Sequence, residues 1–187
     1  MTIQEKLARL VEATPWMTVQ KLQRRISGVM NENISARVAR MRIIKIATEA
    51  NDALAPIATC RNGCSHCCHQ GLVVFEHEAV ALAKVSGREM VKQPHRSDRE
   101  LEIDIGSATG KPCPFLTNNS CSVYEHRPLS CRLRHSLNEK ASDCSENGSP
   151  IGTYSIDDFF VDPYVELSYR IRGVEPLGSV HRYFPER

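Results

Sequence analysis

Eight cysteines constrain this chain more than any other feature. All lie between Cys60 and Cys144, a stretch of 85 of the 187 residues. A local density that high belongs to a disulfide scaffold or to a metal site. Compartment separates the two. The N-terminus reads MTIQEKLARLVEAT, amphipathic and charged from the fifth residue onward. It lacks the apolar stretch and small-residue cleavage site of a secretory signal. The longest aliphatic or aromatic run is Leu72 to Phe75, far short of the roughly 18 residues of a membrane span. These features predict a cytoplasmic protein that does not enter a membrane. There thiols stay reduced, and clustered cysteines mean metal or redox chemistry.

The first cluster is Cys60-RNG-Cys64-SH-Cys67-Cys68. Two cysteines separated by two residues can wrap a tight turn and present both sulfurs to one metal about 2.3 Å away. Gly63 suits such a turn, since glycine adopts positive φ without strain. If the stretch is helical instead, Cys60, Cys64 and Cys67 or Cys68 share one face. Adjacent Cys67 and Cys68 are expected to diverge, and so to serve different metals or to leave one of them unligated. The second cluster is looser: Cys113, Cys121 and Cys131, then Cys144. Pro114 and Pro128 stiffen the connections, and Asn118-Asn119 reads as a turn that brings Cys113 and Cys121 together. Eight thiolates suffice for two closed four-cysteine sites, and the sequence does not choose the partition. Four thiolates suit zinc or an iron–sulfur cluster equally well.

Arg61, Arg127, Arg132, Arg134 and His135 stand near these cysteines in sequence. They would offset the negative charge of a thiolate-bound metal, or pair with Glu125 or Asp143 at the surface. His66 and His69 flank the first cluster and could replace a cysteine as ligand. His77, His95, His126 and His181 lack a partner motif. The C-x3-C-x2-C spacing is also that of radical-SAM enzymes, but no glycine-rich cofactor motif follows it. The chain has no phosphate-binding glycine loop, no G-x-S-x-G elbow and no H-E-x-x-H pair.

Around this centre the chain divides by charge. Residues 1–59 carry a net +4, residues 60–144 a net +1 and residues 145–187 a net −3. The overall +2 is too mild to imply nucleic-acid or membrane binding. Residues 1–59 read as an N-terminal helical extension of three helices. Ile3, Leu7, Leu10 and Val11 mark the first, which Pro15 breaks. Val19, Leu22, Ile26, Val29 and Met30 mark the second. Asn33 would cap the third, with Ile34, Val38, Met41 and Ile44 or Lys45 along its face and a stop before Pro56. Arg37, Arg40, Arg42 and Lys45 fall mostly off that stripe, on a solvated face or a partner surface.

Within residues 60–144, the metal-binding section, Phe75-EHEAVALAKVS-Gly87 reads as a helix with acidic residues in its first turn and Gly87 as its C′ residue. Gly71-LVVF-Glu76 and Leu101-EIDI-Gly106 read as weak strands, with REMVKQPHRSDRE a loop. Residues 145–187 should supply a helix from about Asp162 or Pro163 to Gly173 and a tail packed on the centre. Together these readings predict a mainly α fold, small and irregular, stapled by its cysteine cluster.

The combined pattern CRNGCSHCCHQ, CPFL and CSVYEHRPLSCR resembles the CxxCxxCC family of zinc- or iron-chelating proteins, also called YkgJ-like cysteine-cluster proteins. The resemblance spans roughly residues 60–144. It implies that Cys60, Cys64, Cys67, Cys68, Cys113, Cys121, Cys131 and Cys144 are metal ligands. It also implies that Arg127, Pro128 and Arg132 belong to the motif flanking them. Some longer relatives resemble flagellin lysine methylases.

Three functional expectations follow. The first is a small metalloprotein holding an iron–sulfur cluster or zinc through the eight cysteines. The second is a cluster-dependent redox or methyltransferase-like enzyme. The third is a zinc-stabilised adaptor that meets a protein or nucleic acid through its basic N-terminal helices.

Overall fold

The computed structural model describes residues 1–60, 63–137, 163–167, 170 and 175–185 of the chain. The protein is mainly helical. Its backbone divides into two units: one takes in residues 1–60 and, of the later described residues, 132–137, 163–167 and 170; the other holds 63–131 and 175–185.

In the first unit, α1 (Ile3–Ala13) begins at a capping box. Thr2 Oγ1 accepts the Glu5 N–H at 3.2 Å, and the Glu5 carboxylate accepts the Thr2 N–H at 2.8 Å, so two otherwise orphaned donors are satisfied. The second helix, α2 (Val19–Asn31), buries Leu22, Ile26 and Val29, the middle of the stripe read from sequence. The third, α3 (Ala36–Leu54), corrects two expectations. Its N-cap is Ser35, not Asn33, with the Ser35 hydroxyl accepting the Val38 N–H. Its buried side is Ala39, Ile43, Ile46, Ala47, Ala50 and Leu54, whereas Val38 and Met41 are 41% and 68% exposed. The larger side chains suggested the wrong stripe because the inner face is built largely of alanines. Several basic residues are engaged: Arg25 pairs with Glu49 and lies over Trp16, Arg42 pairs with Glu32, and Arg40 lies over the Tyr164 ring. Buried Lys6 donates to the Leu137 carbonyl at 2.6 Å, fixing residue 137 to α1. Residues 163–167 are helical, as the sequence suggests; the proposed stop at Gly173 lies outside the described residues.

The second unit starts from β1 (Val73–Phe75), which runs directly into α4 (Glu76–Ser86). Gly87 ends α4 in the left-handed conformation expected of a C′ glycine, at φ 69°. The strand read into Leu101–Gly106 is instead the centre of a helix, α5 (Asp98–Ala108), which also claims the end of the predicted loop. Ser97 and Glu100 form its capping box, with the Glu100 carboxylate accepting the Ser97 N–H at 2.8 Å. The S-x-x-E signature was present at Ser97, and it outweighs the short alternation in LEIDI.

The predicted tail is also corrected. Residues Leu177–Ser179 form a strand, β4, antiparallel to β1, with Val74 opposite Gly178. A short helix, Val180–Tyr183, follows it. Val180, Tyr183 and Phe184 then pack with Val74, Ala79, Leu82, Phe115 and Val123 in one apolar cluster. Asp104 of α5, 1% exposed, locks this segment down. Its carboxylate accepts the Ser179 N–H at 2.7 Å, the Ser179 hydroxyl at 3.0 Å and Arg182 Nε at 2.9 Å. Pro176 and Gly178 looked like tail residues because neither favours a strand interior. Pro176 instead precedes the strand and accepts the Tyr183 hydroxyl through its carbonyl.

Candidate metal centre

Three stretches of the second unit carry its cysteines, and backbone hydrogen bonds hold them together. Gly63 has φ 87°, the positive value expected of it, and a 3₁₀ turn over His66–His69 presents Cys67 and Cys68. Backbone bonds tie this turn to the segment after α5: Gly110 N–H donates to the His69 carbonyl and Cys113 N–H to the Cys68 carbonyl, both at 2.7 Å. Gly71, just past the turn, lies so close to the Ile105 carbonyl of α5 that a Cβ would overlap it. Short strands β2 (Leu116–Thr117) and β3 (Ser120–Cys121) then form a hairpin with Leu116 opposite Cys121. Its turn is the Asn118-Asn119 pair read from sequence, at φ 50° and 59°.

Cys131 arrives on a helical turn over Leu129–Arg132. Glu78 of α4 positions that turn. One carboxylate oxygen accepts the Leu129 N–H at 2.8 Å while the other accepts the Phe75 N–H at 3.0 Å. Ser130 adds a bond from its hydroxyl to the Val73 carbonyl at 2.8 Å. Burial raises the Glu78 carboxyl above its ordinary range, partly offset by the Leu129 N–H. Beside it, His77 Nδ1 lies 2.8 Å from Glu175, and the same carboxylate accepts the His77 backbone N–H at 2.7 Å. Sequence reading gave His77 no partner, since Glu175 is 98 residues away.

The thiols act on one another. A hydrogen bond with Cys68, followed by burial, pushes the Cys67 thiol far up, and Arg127 opposes the shift. Burial pushes Cys131 well up too, with Cys67, Cys113 and Cys121 adding to the effect. Cys113 is raised to about 11, chiefly by burial, with Cys121 and Cys67 contributing and Arg88 opposing. Cys67, Cys113, Cys121 and Cys131 therefore occupy one electrostatic neighbourhood, although up to 64 positions separate them (Cys67 to Cys131). Cys67 and Cys68 do not part as expected: the tight turn leaves their thiols hydrogen-bonded.

The other sequence candidates are placed as follows. Cys64 is half-buried near the start of the second unit. Cys60 closes the N-terminal unit, its sulfur accepting the Ser136 N–H at 3.3 Å. Arg132 reaches the Thr48 hydroxyl at 3.2 Å. His66 is exposed, and His69 Nδ1 lies 3.0 Å from the Ser65 carbonyl. Arg61 and Cys144 lie outside the described residues. None of the seven described cysteines is joined in a disulfide. Among the described residues, no three His, Cys, Asp or Glu side chains are already gathered as a group that could hold an ion. The donor chemistry nevertheless fits a soft metal: half-buried sulfurs outside any disulfide.

These short elements bring three cysteine-bearing stretches together within one unit. Residues 59–148 match the model of the CxxCxxCC family, described as "Putative zinc- or iron-chelating domain". No curated protein and no solved structure matches the chain. Among the described residues, no helix is long and apolar enough to cross a membrane.

Proposed function

We propose that the protein is a metal-chelating protein whose second unit holds zinc, or iron as an iron–sulfur cluster, on Cys67, Cys113, Cys121 and Cys131. The observation that carries this reading is the joining of three cysteine-bearing stretches by the Cys113–Cys68 backbone bond, the Leu116–Cys121 hairpin and the Leu129–Glu78 bond, within residues that match a zinc- or iron-chelating family. Cys60, Cys64, Cys68 and Cys144 are the other cysteines that the resemblance implies as ligands. Bound zinc would supply a cross-link between these stretches, and a bound iron–sulfur cluster would supply one-electron chemistry as well. The chain's own part is to bring the sulfurs together: the Cys68–Cys113 backbone bond, the Asn118-Asn119 turn and the Glu78–Leu129 bond each deliver one stretch.

Metal content and visible absorption of protein purified without oxygen test this reading. Wild-type protein should carry iron with acid-labile sulfide, or colourless zinc, and Cys67→Ser and Cys121→Ser should each lose about one site's worth of metal. Full metal retention in both variants would overturn it.

A further inference from the structure

Helix α3 is apolar on two sides. Its inner side, from Ala39 through Ile43 and Ile46 to Leu54, is buried, and at 3.6 residues per turn it covers about 100° of the circumference. Val38 and Met41 lie on the opposite side and are exposed, with Ile34 half-buried one turn before Val38. Ile34, Val38 and Met41 have the spacing of a stripe that is covered when its helix is packed, and a surface helix needs only one such stripe. Three cations frame the outer one. Arg37, Arg42 and Lys45 are all exposed and share with Val38 and Met41 an arc of about 140°. Arg42 pairs with Glu32 at the surface, whereas among the described residues neither Arg37 nor Lys45 is in an ion pair. Acidic groups keep away from this arc: Glu49 is engaged by Arg25, and Asp52 lies about two turns beyond Lys45.

We infer that the outer face of α3 docks an acidic amphipathic helix of another protein. Val38 and Met41, with Ile34 at their edge, take its apolar ridge, and Arg37 and Lys45 take the carboxylates beside that ridge. Charge complementarity selects this occupant. A second copy of the same face would set cations against cations. A nucleic-acid backbone would satisfy the cations but press phosphates on Val38 and Met41, which lie among them. An apolar ridge flanked by acids matches both features at once, in the manner of a helix laid along a complementary surface. Met41 suits the middle of such a contact, since its unbranched thioether adapts to the side chains it meets. This inference is independent of the metal reading, because α3 and the Cys67–Cys131 stretches belong to different units.

The test places the photo-crosslinking residue benzoylphenylalanine at Met41 of the full chain, and as a control at Ile103, an equally exposed apolar position on α5. Both are irradiated in cells that make the protein. Cross-linked partners are identified by mass spectrometry, and the captured segment is synthesised and titrated onto purified full-length protein. The expected segment is captured at position 41 only and carries apolar residues at helical spacing flanked by Asp or Glu. Met41→Ser should weaken its binding by about 10-fold, the cost of one lost apolar anchor. Arg37→Glu and Lys45→Glu should also weaken it, and a peptide with Lys in place of the facing acid should recover binding to Lys45→Glu. Rising salt should weaken the wild-type complex. Thermal melts and metal content of the three variants should match wild type, which separates a lost contact from a lost fold. Capture at 41 no greater than at 103 would overturn the inference. So would cross-links only to a second copy of the chain, to nucleic acid or to lipid, or a captured peptide that binds Arg37→Glu and Lys45→Glu as tightly as wild type.

Discussion

A single buried carboxylate does much to place Cys131. Glu78 accepts one backbone N–H from its own helix start and one from the Cys131 turn. Burial raises its carboxyl above the ordinary 4.5. With the folded value above the unfolded one, its contribution to stability is complete below pH 4.5 and is lost as pH climbs through the folded value. Glu78→Gln keeps one acceptor oxygen for two donors, so it should cost about 1–3 kcal/mol at acid pH. The gap to wild type should narrow as pH rises, since only the wild type must then bury a carboxylate. Urea unfolding of the metal-free proteins across roughly pH 4 to 8 measures both effects; parallel pH profiles would show that Glu78 does not carry this dependence.

At the level of elements, α5 joins the cysteine turn to the C-terminal strand. Gly71 meets its backbone at Ile105, and Asp104 one residue earlier holds Ser179 and Arg182. Gly71→Ala would drive a methyl group into a backbone carbonyl, which cannot swing aside as a side chain could. The expected loss is about 1–3 kcal/mol, read as a lower urea midpoint. Gly28 is the opposite case. It lies within α2 with nothing within 4 Å of where a Cβ would stand, so Gly28→Ala should stabilise by about 0.4–1 kcal/mol. Equal shifts of the same sign in the two variants would contradict this account of both sites. The α4 stop at Gly87 and the Asn118-Asn119 turn were legible because each is a local φ requirement, whereas the Ser97-x-x-Glu100 capping box of α5 stood in the sequence and was read as loop. The buried face of α3 was not, because alanines carry little hydrophobic signal and become core only when another element packs close to them.

For the molecule as a whole, metal binding and proton release are coupled. Cys113 is raised to about 11, and Cys67 and Cys131 stand higher still. Each thiol that becomes a ligand near neutral pH must therefore give up a proton. Calorimetric titration of the metal-free protein with zinc, in buffers of different ionisation enthalpy, should show about three protons released per ion from these cysteines alone. Affinity should rise with pH accordingly. Binding without proton release would mean that other groups hold the metal.

Sequence by itself determined the thiol inventory, the mainly helical character of the chain, the α4 stop at Gly87 and the Asn118-Asn119 turn. Those properties depend on residue type and on neighbours three or four positions away. Tertiary structure decided that the Cys113 stretch bonds to Cys68, that Arg88 meets the Pro114 carbonyl, that Glu175 meets His77, and that residues 177–184 form a strand and a core anchor. These meetings join residues tens to a hundred positions apart. Local patterns carry no record of such pairs, because only the closure of the intervening chain brings the partners within reach.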